Sequence, residues 1–475
     1  PPTTLAPRRA TVPIHIKKYD VDYSRRFFLE KMNKGIMGAG VLTSLWPLIG
    51  ETADITKAYP EELLSIEAFT QGKLKDGDTI DASNVEIVKD LLDPIAYMQV
   101  SQQGRRIKLV PTTTDATQLF PHDYLKATLA NQGKAALDLD GNVVVKGSTN
   151  QWIGGTPFVD PQNGLEAFAN LTLSWGRHDT SIYAVDDYDI GPSGNVEYQY
   201  QLAWCEKNFS ALVSNPSGPY LEGFDGKLRH QSIWFTAPDD TRGTSFLNIW
   251  KYDQREFPDL FGYLPAFKRV RRFPTNQRFE PMVPGITFFL SDAWAAGDPM
   301  LTWGKHRIVG RGPFLGCQSG MWQGDKENWS KEHLVHGGKK GKHFYEANFQ
   351  LCPEVIVIEA EPTGFPRAPV SKKRIWLDAR NMVPIAYVTY DRKGEIWRSF
   401  EMGFSQQKQG GKANLDANGN PEWSWSYVHS HDVQADRFTR FNQVEKIKGG
   451  VKTEFNTENA YEKYLTVQAI RKLGS

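Results

Sequence analysis

Four short segments rich in β-branched and aromatic residues most constrain what this chain can fold into. They are Glu354–Ile358, Arg374–Leu377, Pro384–Tyr390 and Glu395–Phe400. Asp378-Ala-Arg-Asn381 and Asp391-Arg-Lys-Gly394 separate the later ones with the polar, flexible residues that close tight turns. Strands joined this closely pair with their neighbours, so the pattern predicts a meandering antiparallel sheet. Gln231–Thr236 and Ser245–Tyr252, across the turn Pro238–Gly243, extend the same reading. So do the strand Arg106–Val110 and a hairpin over Leu137–Val145 turned on Asp140-Gly141-Asn142. Composition agrees: 14 Trp, 18 Tyr and 26 Phe, with 41 Gly and 28 Pro, suit many short strands that face an apolar interior. The expected fold class is mainly β, with some helix.

Three helices are predicted. Pro60–Phe69 opens on a proline and acidic residues; Ala82–Leu92 places Val85, Val88, Leu91 and Leu92 on one face and is expected to stop at Pro94. The third, Glu458–Lys472, aligns Tyr461, Tyr464, Leu465 and Ala469. Residues 326–342 read as an exposed loop and 406–421 as a long hairpin or excursion.

At the other end, residues 1–23 read as a flexible lead. Next come Ser24-Arg25-Arg26-Phe27-Phe28-Leu29 and the Gly-rich apolar run Gly35–Gly50. Arg25, Arg26, Phe28 and Leu29 resemble the twin-arginine export signal of bacteria, which carries folded proteins across a membrane. The run is shorter than the roughly 20 apolar residues that span a bilayer, and Pro47 interrupts it. Two fates stay open: removal as a signal, or retention of residues 35–50 as an inner-membrane anchor. The expected organisation is therefore 1–23 lead, 24–57 signal or signal anchor, and 58–475 one large β domain with loop insertions.

A net charge of +1 over 475 residues gives no electrostatic case for nucleic acid. Cys205, Cys317 and Cys352 lack zinc or redox spacing; buried, unpaired thiols are the preferred reading over a disulfide. No nucleophile elbow, phosphate loop or haem motif occurs, so no catalytic residue and no cofactor are assigned. His429 and His431 alternate on a strand and are the weak candidates for a metal, with His333, His336 and His343 in one loop. A His-rich solvated loop and strand is preferred to a metal site. Asp186, Asp187 and Asp189 precede Gly191-Pro192-Ser193-Gly194 and read as a polar turn. Lys268-Arg269-Val270-Arg271-Arg272 is the strongest charge feature. On a strand its arginines either pair with acidic neighbours or capture a phosphate or carboxylate.

Gly154-Gly155-Thr156-Pro157-Phe158, Pro161, Gly164–Ala167 and Asn170 resemble a bacterial family, domain of unknown function 1329, often labelled as outer-membrane lipoprotein-sorting. Phe261–Pro265, Lys268–Arg272, Asn276–Arg278, Asp292, Gly297–Pro299, Leu301–Trp303, Trp376–Asp378 and Tyr390-Asp391 strengthen the resemblance. It implies a LolA-like antiparallel half-barrel closed by helices, working in the periplasm as a non-enzymatic binder of lipid or other hydrophobic molecules. The partners it implies are an inner-membrane exporter and an outer-membrane β-barrel. Such a binder would line its cavity with Ile233, Phe235, Leu247, Ile249, Ile375 and Leu377, or with their opposite-face neighbours, and hold Arg269 and Arg271 at the rim. Twin-arginine export and an anchor depart from a free shuttle; they suit the alternative, a structural or accessory subunit of a membrane-bound, redox-type complex.

Overall fold

The computed structural model describes residues 41–319, 327–330, 334–409 and 411–474. Arg25, Arg26, Phe28, Leu29 and His333 lie outside them. The mainly β architecture expected from the sequence is what the chain adopts: one open sheet of sixteen strands, with helices on its faces.

In chain order the strands are β1 Thr79–Ile80, β2 Ile107–Leu109, β3 Thr180–Ile190, β4 Val196–Asn208, β5 Lys227–Ala237, β6 Ser245–Lys251, β7 Asp259–Leu264 and β8 Arg269–Phe273. Then follow β9 Gly304–Gly316, β10 Ala347–Glu361, β11 Val370–Asp378, β12 Pro384–Asp391, β13 Ile396–Gln406, β14 Trp423–Asp432, β15 Arg437–Val444 and β16 Glu454–Phe455. β3 to β8 form one meander and β10 to β15 another; β15 pairs with β3 and joins the two into a continuous sheet. The sheet is not wholly antiparallel as expected, because β2 pairs parallel to the start of β10. β2 arrives from the N-terminal helical region with no hairpin to reverse it, and connections that long permit parallel pairing.

The helices are α1 Val41–Thr52, α2 Glu61–Leu64, α3 Ile66–Phe69, α4 Pro94–Gln102, α5 His122–Asn131, α6 Gly164–Leu173, α7 Ala460–Tyr464 and α8 Val467–Leu473. Two expectations change in detail. The helix predicted over 60–69 breaks at Ser65, whose extended backbone ends α2 while its hydroxyl caps α3. The one predicted over 82–92 is a pair of 3₁₀ turns, since Asn84 bonds back to Thr79 and Asp81 and so competes with helical bonding. Pro94 starts α4 rather than stopping a helix: its missing N–H costs nothing in the first turn, and Asp93 accepts from Ile95 and Ala96 at 2.9 and 3.1 Å.

α7 and α8 cover one face of β3 to β5, where Ile182, Ala184, Ala203, Cys205 and Trp234 meet Ala460 and Leu465. α1, the described part of the apolar run, lies in the main core through Leu42, Leu45, Trp46 and Ile49, with Trp46 edge-on to Phe120. No helix among the described residues is long and apolar enough to cross a membrane. None of the three cysteines is in a disulfide, and each is buried in a different apolar cluster.

Candidate functional site

Along β3, residues 183, 185, 187 and 189 point to one side of the sheet and 182 and 184 to the other. The cross-strand pairs Tyr183 with Trp204 and Val185 with Leu202 carry that side onto β4. Phe441 of β15, Val428 and Trp425 of β14, Met402 of β13 and Tyr387 of β12 continue it, with Phe441 opposite Val428 and Val428 opposite Met402. Over this patch runs a covering segment, residues 281–296, that adds Met282, Phe288, Asp292 and Trp294. These residues enclose an apolar cleft with about 620 Å³ of empty space, its mouth included. The centre of a water-sized sphere reaches only about 50 Å³ of it, so a guest must move side chains or the covering segment. Seven of its thirteen lining residues are aromatic. Their rings meet edge to face, as Tyr183 with Trp425 at 5.5 Å and Phe288 with Phe441 at 5.4 Å.

Named polar contacts hold the covering segment down. Arg398, buried, donates to the Thr287 carbonyl at 2.8 Å and to Asp292 at 2.5 Å. Asp292 in turn accepts from the Phe289 amide at 2.8 Å, and the Tyr387 hydroxyl donates to the Asp292 carbonyl at 2.7 Å. Burial raises the Asp292 carboxyl above the usual range, opposed by Arg398. Thr287 bonds to Ser430 and Thr439. Trp294 sits in the left-handed region at φ 51°, a conformation a bulky side chain adopts only when its surroundings impose it.

The cleft lies between buried carboxyls on its own face. On one side Glu206 accepts from the indole N–H groups of Trp204 and Trp294, at 3.1 and 3.3 Å. Burial pushes its carboxyl up to about 7, against the pull of Arg229 and these donors. On the other side are Asp187 and Asp189. The expected polar turn is here corrected: both lie inside β3, fully buried, because β15 and β4 flank them, and only Gly191–Gly194 turns. Burial and the mutual repulsion of the two acids raise Asp187 well above the usual range, and burial takes Asp189 to about 7.

Ile233 and Phe235 share the cleft's face, one strand further on, opposite Trp204 and Leu202. Ile375 stands opposite Tyr387, with Leu377 next along the same face. Leu247 and Ile249 pair with Ser232 and His230, on the reverse face of the sheet. None of the six lines the cleft. Arg269 and Arg271 are exposed on β8, the last strand of the sheet.

The histidines are a second correction: the described members of the expected solvated set are buried. His429 and His431 project from the reverse face of β14, where the two-stranded piece Val335–His336 with Phe344–Tyr345 folds over them. Tyr345 stacks on His429 at 5.3 Å, and its amide donates to His429 Nε2 at 3.2 Å. Gln99 donates to His431 Nδ1 at 3.1 Å. His429 also stands 3.5 Å from Glu401, which accepts from Arg105 at 2.5 Å and from the Tyr427 hydroxyl at 2.8 Å. Burial takes His429 down to about 3 and His431 to about 4. Burial alone would raise Glu401; Arg105 and His429 outweigh it and hold the carboxyl well below the usual range. Among the described residues no three His, Cys, Asp or Glu side chains are grouped to hold a metal.

The family model described as "Protein of unknown function (DUF1329)" matches residues 79–471, and the chain belongs to that family. No curated protein matches it. Among solved structures, it is similar to a putative outer membrane lipoprotein-sorting protein domain from Vibrio parahaemolyticus, with 17% identity over 65% of this chain and 97% of that one, at a TM-score of 0.40. A DUF1329 family protein from Desulfovibrio piger gives 14% identity over 63% and 95%, at 0.40. A LolA superfamily protein from Nitrosomonas europaea gives 12% over 58% and 90%, at 0.33.

Proposed function

We propose that this protein binds hydrophobic molecules in the cleft between β3, β4, β12 to β15 and the covering segment, without chemical conversion, and passes them on in the periplasm. The observation that carries this reading is an apolar cleft whose one ionisable wall residue apart from tyrosine, Asp292, is already tied to Arg398. Small-molecule sites are usually apolar pockets with a few fixed polar groups, and this cleft has that chemistry but reaches the size of such a site only when its side chains or the covering segment move. Aromatic walls favour guests with flat or ring-bearing faces, because ring edges and faces pack closely against them. The family resemblance supports a handover between an inner-membrane exporter and an outer-membrane β-barrel. The second reading, an accessory subunit of a membrane complex held by its N-terminal segment, draws no support from α1, whose Leu42, Leu45, Trp46 and Ile49 are buried in the core and not free to enter a bilayer.

The test is titration with N-phenyl-1-naphthylamine, a probe whose fluorescence rises in apolar surroundings. Saturable one-to-one binding, weakened at least about tenfold by Val428→Phe, is expected; tenfold corresponds to about 1.4 kcal/mol. Non-saturable uptake, or equal affinity in the variant, would sink the reading.

A further inference from the structure

The basic run enters none of the contacts around the cleft, and the fold places it at an edge. β7 and β8 form a hairpin at the end of the sheet, turned through Pro265–Phe267 and Lys268, which takes a left-handed conformation at φ 49°. Of its cations only Arg272 has an acidic partner among the described residues, Asp259. Lys268, Arg269 and Arg271 are exposed and make no ion pair with a described residue. Beside them Phe267 is 52% exposed, its ring 4.4 Å from the Arg271 guanidinium. Three exposed cations and an exposed aromatic ring gathered at one hairpin tip make a local basic and apolar patch.

We propose that this hairpin tip docks the protein on an anionic bilayer surface. Lipid phosphates would take the unmatched cations, and the interfacial hydrocarbon would take Phe267. An acidic protein would satisfy the charges but not bury the exposed ring in hydrocarbon, and a net charge of +1 provides no wider basic field for a nucleic acid. Docking here is independent of what the cleft holds.

The experiment is flotation of the full chain with phosphatidylcholine vesicles and with vesicles containing phosphatidylglycerol. Binding to the anionic vesicles alone is expected, weakening at about 0.5 M salt as the charges are screened. Arg269→Glu with Arg271→Glu should reduce it at least about tenfold, since each basic residue near such a surface contributes on the order of fivefold. Phe267→Ser should reduce it less. A second readout follows the hairpin itself: Ala266→Cys carrying a polarity-sensitive dye, feasible because the native cysteines are buried. Its emission should shift to the blue on anionic vesicles only. Equal binding to both vesicle types, no binding, charge-reversed variants that bind like the parent, or an unshifted dye would each overturn the proposal.

Discussion

Strands β13, β14 and β15 have two faces of opposite character, and neighbouring residues fall on opposite sides. Met402, Val428 and Phe441 look into an apolar cleft that is not completely filled. Glu401, Tyr427, His429 and Arg440, each one position away, look into a closed layer around Arg105, Tyr345 and Phe344. On the polar face, burial is tolerated because Arg105 meets the Glu401 carboxylate within hydrogen-bonding distance and Arg440 lies against the rings of Tyr188 and Tyr345. On the cleft face Asp292 is paired with Arg398, the other wall residues are apolar or aromatic, and the void leaves wall atoms without packing partners. The polar face therefore reads as structural, and the cleft face as the one that can accept a guest.

Breaking the polar face should cost most. Glu401→Ala leaves the Arg105 guanidinium buried without its carboxylate, and a loss of about 3–5 kcal/mol is expected in urea unfolding. Replacing Glu401 and Arg105 together with apolar residues should recover a large part of that loss, which separates the cost of an orphaned charge from the worth of the pair.

Next in size is the pH dependence set by Glu206. Its carboxyl titrates near 7 when folded and near its ordinary 4.5 when unfolded. Between these values the folded protein keeps a proton that the unfolded chain has released, so stability falls as pH rises from about 4.5 to 7 and is level above. Glu206→Gln should remove this fall: parent and variant coincide near pH 4, and the variant is more stable at pH 8 by about 2–3 kcal/mol. Unfolding curves across that range that stay parallel would contradict the assignment.

Filling the cleft should do less to stability than to binding. Val428→Phe enters existing space and is expected to change unfolding free energy by less than about 1.5 kcal/mol, while lowering probe affinity at least about tenfold. Loss of stability without loss of binding would reverse the roles assigned to the two faces. Smallest of all, Arg271→Ala on the exposed hairpin should stay within about 0.5 kcal/mol in thermal unfolding.

How far the sequence shows this arrangement differs along the chain. The run from β10 to β13 is legible because Asp378–Asn381 and Asp391–Gly394 mark its turns and β-branched residues fill the strands. β3 is not legible. It is buried on both faces, so its sequence lacks alternation, and its aspartates carry the composition of a turn. Its burial comes from β15, some 250 positions later, and no local window contains that partner. Tyr183, Trp204 and Trp425 could have been noted as large aromatics, but nothing near them in sequence marks them as neighbours.

The sequence by itself determined the strand-rich class, the family and the strand that carries Arg269 and Arg271. These follow from local spacing, turn chemistry and motif, which are properties of short segments. Only the tertiary structure decided which face of each strand encloses the cleft, that residues 281–296 cover it, and that the described histidines are buried. Each of these depends on strand register and on contacts between residues far apart in the chain, and a register shift of one residue would turn every side chain of a strand to the other face.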